Sequence, residues 1–318
     1  MTKILLTALV LAAACGDDGN KAIDAAPKPI DAPPIDIDAR DIDAPGARRG
    51  PETLDLTGGA NGLLWDNATS TLFLTDNNSD ELLKFTDTGN VEIVGALPPG
   101  SAGISLGDMV KRADGSILVA NFGFGTQGTV FKLIPGQAAT SLTGLDPVRR
   151  RIGMSQDGNA QLYVAYFINA GMMMQAGGVS SIALAGDVAT ETEIAGTTTN
   201  AGFRKLVGLV ATNDAVFVTD QTQKKIFKIA IPGNAVTEVA PVPSADMLAI
   251  MPNGDLLTGG GNSIHRVTQA GTVTELFAGE FEQVRGIAFD PTAKRIFVID
   301  HSATVGTPDK LQIRPLDN

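Results

Sequence analysis

Short apolar runs separated by turn residues recur along this chain, and residues 206–242 show the pattern most clearly. Predicted strands begin at Leu206, Ala215, Lys225 and Ala235, and polar or Pro-Gly-Asn turns separate them. Short apolar or alternating runs between turn residues are typical of β-strands. The stretch therefore predicts a small antiparallel unit of four strands.

Relatives of this unit occur along most of the chain, which makes the repeat the main clue to the fold. The first strands of the six copies contain Asn61, Asp108, Arg151, Val207, Asp246 and Arg285. The copies follow each other at intervals of roughly forty to fifty-five residues, a period typical of propeller blades. The sequence therefore predicts an all-β, six-bladed β-propeller of four-stranded antiparallel blades.

The sixth copy ends with a third strand at residues 310–315 and lacks a fourth. Residues 52–56, with the sequence ETLDL, precede the first copy and have no blade of their own. We expect this N-terminal strand to complete the last blade and close the ring, because closure removes long open sheet edges. The predicted propeller domain covers residues 51–318.

The first fifty residues have a different composition. Lys3 precedes an apolar run that ends Ala12-Ala13-Ala14-Cys15, which resembles a bacterial lipoprotein signal. The resemblance implies a signal peptide at residues 1–14 and a lipid on Cys15, which is the single cysteine of the chain. Residues 15–50 repeat Ile-Asp-Ala among prolines, a composition that predicts a disordered tether. We expect attachment to a membrane in the envelope of a Gram-negative bacterium, on the periplasmic or surface side of the outer membrane.

Charge excludes one class of partner. The chain of 318 residues carries a formal net charge of -11, and its longest basic run is Arg149-Arg150-Arg151. A protein that binds nucleic-acid phosphates needs a basic surface. We therefore expect no nucleic-acid partner, and we expect a monomer.

Three motifs connect the repeat to a known group. The sequences NGLLWDNATSTLFLTD, FVTDQTQKKIFKI and FVIDH resemble the six-bladed propellers of the gluconolactonase (senescence-marker protein) and NHL-repeat superfamily. The resemblance implies a divalent cation in the central channel, held by Glu, Asn and Asp from different blades, with a further Asn contacting substrate. The matching positions here are Asn61, Arg151, Val207 and Asp246.

Only Asp246 keeps a carboxylate at a matching position, which argues against metal-dependent lactone hydrolysis by the family mechanism. A rearranged calcium site using Asn61, Asp108 and Asp246 is the alternative that keeps a cation. No other cofactor is predicted.

The inner strands also combine opposite charges, with Asp108 and Asp246 on one side and Arg151 and Arg285 on the other. One interpretation is a pocket in which the arginines bind a carboxylate or phosphate ligand, with Asn61 beside them. The other is an ionic plug in which these charges pair around the axis. The sequence leaves both open.

Loops and histidines supply the remaining candidates. Phe122, Phe124 and Met173 lie in long loops and either form an apolar binding patch or fold down onto their blades. His301 ends an inner strand near the functional face and, with Asp246, is the candidate acid or base. No nucleophile elbow or phosphate loop is present in the sequence.

Two functions fit these features. The first is a lipid-anchored binding module that takes a protein, glycan or small ligand at its channel mouth and loop face. The second is a lactone or ester hydrolase of gluconolactonase type with an altered centre. The altered metal positions favour the binding module over an enzyme.

Overall fold

The computed structural model describes residues 52–56, 59–85, 91–98, 105–123, 127–169, 175–199, 201–304 and 306–316. All regular secondary structure in these ranges is β-strand. Among the same residues, no helical segment has the length and hydropathy of a transmembrane span. The predictions for residues 1–50, including Cys15, lie outside the described residues.

Six sheets of four antiparallel strands make up the described chain, which confirms the predicted six-bladed propeller. The strands of the first three blades are β2 (Ala60–Asp66), β3 (Thr71–Asp76), β4 (Glu81–Phe85), β5 (Val91–Ala96), β6 (Leu106–Lys111), β7 (Ile117–Asn121), β8 (Thr129–Leu133), β9 (Thr140–Ser141), β10 (Arg150–Gln156), β11 (Leu162–Asn169), β12 (Gln175–Ala185) and β13 (Val188–Ala195). Those of the next two are β14 (Leu206–Ala211), β15 (Ala215–Asp220), β16 (Lys225–Ala230), β17 (Val236–Pro241), β18 (Leu248–Ile250), β19 (Leu256–Gly260), β20 (Ser263–Val267) and β21 (Val273–Leu276). Within each of these five blades the strands pair in chain order.

The sixth blade contains β22 (Val284–Asp290), β23 (Arg295–Asp300) and β24 (Lys310–Pro315), and its fourth strand is β1 (Glu52–Asp55). The sheet order is β1-β24-β23-β22, and the antiparallel register runs from Glu52 opposite Ile313 to Asp55 opposite Lys310. The N-terminal strand therefore closes the ring, as the sequence predicts.

The core consists of six apolar clusters, each shared by two neighbouring blades. Leu82 and Phe73 of blade one pack with Met109 of blade two, and Val210 of blade four packs with Leu248 of blade five. The second strands β3 and β15 bury every side chain, whereas the outer strand β17 is mostly exposed or half-buried, as expected for blades that pack face to face. The same packing holds the six inner strands around a central channel.

A β-bulge interrupts five of the six inner strands near their first residues. In blade one the register shifts between Ala60 and Leu63, and equivalent shifts occur in blades two, three, four and six. Glycine lies at these bulges because the blades approach each other there. A Cβ on Gly62 would lie 2.1 Å from the Gly107 carbonyl oxygen of the next blade. The bulges determine which side chains face the channel.

Candidate functional site at the channel mouth

The starts of the inner strands form one mouth of the channel, and Asp246 is its central acidic residue. Asp246 precedes β18, which begins at Leu248, so it lies just outside the first strand that was predicted to contain it. Its carbonyl accepts the Thr219 hydroxyl at 2.5 Å, and the Gln221 side-chain amide donates to its carboxylate at 3.0 Å. Blade four therefore holds both the backbone and the side chain of Asp246.

The Asp246 carboxyl is weakly acidic for an aspartate. Burial raises its pKa to about 7, although Lys205, Arg285 and the Gln221 hydrogen bond act in the opposite direction. An acid with a pKa near neutrality is a candidate for proton transfer or for pH-dependent binding.

Lys205 and Arg285 place two positive charges close to Asp246. Both side chains are half-buried, and within the described chain neither makes a hydrogen bond or ion pair. Asp220 accepts the backbone N–H groups of Arg204 at 2.7 Å and Lys205 at 3.3 Å, which fixes the segment that carries Lys205. Burial lowers the pKa of Lys205; Asp246 opposes this, while Arg285 acts in the same direction.

Aromatic rings extend this mouth toward blade two. The Lys205 amine lies 5.7 Å from the ring centre of Phe167, and the Arg150 guanidinium lies 5.8 Å from the same ring. Arg150 also lies 5.3 Å from the ring of Phe122, which contacts Phe167 at 5.8 Å. Of the predicted loop patch, only Phe122 can be placed, since Phe124 and Met173 lie outside the described residues.

Asp108 belongs to the inner strand of blade two, on the opposite side of the ring from Asp246 in blade five. Its side chain is buried, and no cation forms an ion pair with it in the described chain. Burial raises the pKa of Asp108 well above its usual range; the Met154 backbone N–H partly offsets this, and Asp246 adds to it. The channel thus contains two interacting carboxyl groups.

Arg151 does not face the channel, which corrects its prediction as a ligand-binding residue. The bulge in blade three pairs Arg151 with Tyr166 and aligns it with Ala60 of blade one, so Ile152 occupies the position of Asn61. The guanidinium of Arg151 is fully buried, 2.6 Å from Glu191, and donates to the carbonyls of Gly128, Arg149 and Asp146. It is part of a structural ion cluster between blades two and three.

The His301 side chain also contacts a residue other than Asp246. Its Nδ1 lies 2.8 Å from the Asp309 carboxylate, and its backbone N–H donates to the Gln283 carbonyl at 2.8 Å. Among the described residues, no hydrogen bond or ion pair joins His301 to Asp246.

The three predicted calcium ligands do not make a calcium site by their chemistry. Calcium takes about six to eight oxygen ligands, whereas Asn61, Asp108 and Asp246 supply few. Asn61 could offer only its amide oxygen, since its amide nitrogen donates to the Leu106 carbonyl at 2.5 Å, and the charges of Lys205 and Arg285 disfavour a cation beside Asp246. Among the described residues, no group of three His, Cys, Asp or Glu side chains is placed to hold a metal.

Sequence reasoning missed three residues of this mouth: Arg150, Lys205 and Gln221. Lys205 and Gln221 lie just outside the apolar strand cores that define the repeat, so the repeat pattern contains no signal for them. In the sequence, Arg150 was noted only as part of the basic run Arg149-Arg150-Arg151. Gly153 was the signal in the sequence for the correct register of blade three, because it aligns with Gly62 of blade one and Gly208 of blade four.

Comparison with known proteins shows similarity in structure alone. No family model and no curated protein sequence matches the chain. Solved structures do match. Regucalcin from Agrobacterium tumefaciens, described as a calcium-binding protein, has a TM-score of 0.62 at 14% identity and covers 83% of this chain and 93% of its own.

Two enzymes share the same fold. A gluconolactonase from Xanthomonas campestris has a TM-score of 0.62 at 15% identity, covering 82% of this chain and 88% of its own. Virginiamycin B lyase from Staphylococcus aureus has a TM-score of 0.55 at 16% identity, covering 82% of this chain and 98% of its own. At such low identity these similarities show the propeller fold and carry no assignment of chemistry.

Proposed function

We propose that this propeller is a binding module whose channel mouth takes a small organic anion, such as a sugar carboxylate. The observation that carries the proposal is the pair of cations, Lys205 and Arg285, which converge on Asp246 without an ion-pair partner in the described chain. Two half-buried cations share the single Asp246 carboxyl, so they leave positive charge that favours an anionic ligand, and arginine can bind a carboxylate through two parallel hydrogen bonds.

Neighbouring groups add specificity to this site. Gln221 and Asn61 offer amide groups for ligand hydroxyls, and the Phe122 and Phe167 rings provide an apolar wall next to the cations. The lipid anchor on Cys15, the envelope location and the monomeric state belong to the same proposal and rest on the sequence.

Removing either cation should weaken anion binding. We expect Lys205→Ala and Arg285→Ala each to reduce the affinity for gluconate about ten-fold or more, because each removes one charge-assisted contact. Isothermal titration calorimetry on the full chain measures this. The matched control is Lys84→Ala, since Lys84 is a surface cation paired with Glu92 at 2.7 Å, and it should bind like the unmodified protein. Equal affinity in all four proteins would refute the proposal.

Affinity for the same anion should depend on pH through Asp246. Below pH 7 the carboxyl is protonated, because its pKa is about 7; above it, a negative charge appears beside the bound anion. Gluconate keeps one charge throughout, so its affinity should fall roughly ten-fold between about pH 6 and pH 8. Asp246→Asn should remove this dependence and keep the low-pH affinity. A wild-type affinity that stays constant over this range would contradict the assignment. Asp108, Lys205, Arg285 and Arg150 are the other charged groups in this environment.

Lactone or ester hydrolysis is the second candidate, and the pKa of Asp246 supports it. An aspartate with a pKa near 7 is suited to activate water, and Lys205 with Arg285 would stabilise an oxyanion without a metal. The structural similarity to a gluconolactonase adds support at the level of the fold. Turnover of glucono-δ-lactone that persists in chelator and disappears in Asp246→Asn would favour this function over binding alone.

A further inference from the structure

Asp220 is the last residue of β15, and its side chain is fully buried. Five hydrogen bonds converge on its carboxylate. Its Oδ2 accepts the Arg204 N–H at 2.7 Å and the Gln223 side-chain amide at 2.8 Å, and its Oδ1 accepts the backbone N–H groups of Lys205, Thr222 and Gln223 at 3.0–3.3 Å. Both oxygens are therefore acceptors, which a carboxylate provides and a side-chain amide does not.

These contacts join the two segments that carry Lys205 and Gln221. Lys205 lies directly before β14 and Gln221 directly after β15, and the Gln221 N–H donates to the Lys205 carbonyl at 2.9 Å. Both side chains act on Asp246: burial raises the pKa of its carboxyl, whereas the Lys205 charge and the Gln221 hydrogen bond at 3.0 Å oppose this. One buried aspartate therefore fixes the backbone of two groups that face Asp246.

Blade six repeats the arrangement beside the other cation of the mouth. Asp300 is the last residue of β23, and it accepts the backbone N–H groups of Glu282 at 2.8 Å and Gln283 at 3.0 Å. Arg285 follows two residues later, on β22. Each of the two cations thus lies in or directly after a segment that a second-strand aspartate holds.

Blade five shows that this carboxylate is not needed to build a blade. Its second strand, β19, ends at Gly260, where a Cβ would lie 1.2 Å from the Ser244 carbonyl oxygen. No side chain fits at this position, and the four strands of the blade still pair in chain order. Since a blade forms without the aspartate, its presence beside both mouth cations points to a role in the site.

We propose that Asp220 is a positioning residue of the anion site, which holds Lys205 and Gln221 against Asp246 and thereby sets the affinity for the anion. Asp220 does not touch the ligand, because it is fully buried, and it acts through these two residues. This role rests on the proposed function as far as the anion is concerned, whereas the effect on Asp246 needs no ligand.

The Asp246 carboxyl gives a test that requires no ligand. In Asp220→Asn an amide nitrogen replaces one acceptor oxygen and opposes an N–H donor, so the segments that carry Lys205 and Gln221 are released. Burial then raises the pKa of Asp246 with less opposition, and we expect this pKa to rise, as it should in Lys205→Ala. Carbon NMR titration of the full-length protein, labelled at its aspartate carboxyls, measures it, and the signal is assigned by its absence in Asp246→Asn.

Gluconate binding gives the second test. Calorimetry at about pH 6, where the Asp246 carboxyl is mainly protonated in both proteins, should show an affinity about ten-fold lower in Asp220→Asn. If this variant does not fold, Gln223→Met removes one donor to Asp220 from a half-buried position. It should raise the pKa of Asp246 and lower the affinity about three-fold.

Asp290→Asn is the matched control. Asp290 is also buried and accepts two backbone N–H groups and the Arg295 guanidinium, but it lies at the opposite end of β22 from the mouth. It should lower stability and leave both the pKa of Asp246 and gluconate binding unchanged. Equal changes in this control, or an unchanged pKa of Asp246 in the Asp220 and Gln223 variants, would overturn the positioning role. Absence of gluconate binding in the unmodified protein would instead refute the proposed function, while a raised pKa of Asp246 in Asp220→Asn would still support the role.

Discussion

Replacing Arg151 with alanine should lower the free energy of unfolding by about 3–5 kcal/mol, the cost typical of breaking a buried ion pair from one side. The substitution leaves Glu191, whose side chain is only 5% exposed, with Arg149 as its remaining cation at 3.1 Å. It also removes the donor to three carbonyl groups, of which Gly128 belongs to the neighbouring blade. The loss is therefore shared between blade three and its contact with blade two.

Urea denaturation followed by circular dichroism measures this loss, and the chain offers a matched control. Lys132 of blade two pairs with Asp187 of blade three at 2.7 Å, but this pair is solvent-exposed, so Lys132→Ala should cost less than about 1 kcal/mol. The double variant Arg151→Met with Glu191→Gln removes both buried charges and should lose less than Arg151→Ala. A loss for Arg151→Ala no greater than that of the control would show that the cluster is not structural.

The ion cluster around Arg151 extends beyond this pair. Arg149 lies 4.3 Å from the ring centre of Tyr166, and the Tyr166 hydroxyl donates to Glu193. Burial, and then this hydrogen bond, raises the pKa of Tyr166. Arg151 itself occupies the strand position at which Ala60, Leu106, Leu206 and Val284 stand in four other blades, so this interface depends on polar contacts that must all be satisfied.

Arg151 also shows where sequence reasoning reached its limit. The strand repeat, the blade number and ring closure by residues 52–56 could all be predicted, because apolar runs and turn residues recur at a regular interval. Side-chain direction could not, because strand residues alternate between faces and a bulge of one residue reverses the assignment. The prediction aligned Arg151 with Asn61 among the channel residues, whereas the register places Ile152 at that position.

Asp246 shows a different limit. The sequence identified it as a channel residue, but its chemistry depends on Lys205, Arg285 and Gln221, which come from three separate segments. Lys205 and Gln221 are neighbours within blade four, and blade packing, in which Thr219 and Gly208 lie against the Asp246 carbonyl, brings them to Asp246. Residues brought together by the ring leave no pattern in a single sequence. Whether these groups bind a ligand is the question that the calorimetric and pH experiments address.

Deleting β1 should cause the other large effect. A chain that begins after Gly59 loses the four-residue strand that pairs with β24 and the hydrogen bond from the Leu56 N–H to the Asp309 carbonyl at 2.7 Å. It also loses Leu54 and Leu56, which pack in the cluster between blades six and one. Leu56 is buried and Leu54 half-buried, so at about 1.5–3 kcal/mol for a fully buried leucine we expect a loss of roughly 2–4.5 kcal/mol before the broken strand pairing is counted.

The comparison that isolates β1 uses two truncated chains. A chain that begins at Pro51 keeps the strand and should unfold at the same urea concentration as the full-length protein, whereas the chain lacking residues 1–59 should unfold at a lower one. The shorter chain should also aggregate at micromolar concentration, because β24 becomes an open edge strand. Identical urea midpoints for the two truncated chains would mean that β1 does not hold the ring closed. A loss confined to the shorter chain would show that one strand of four residues connects the two ends of the propeller, since β1 joins blade six to the chain that enters blade one.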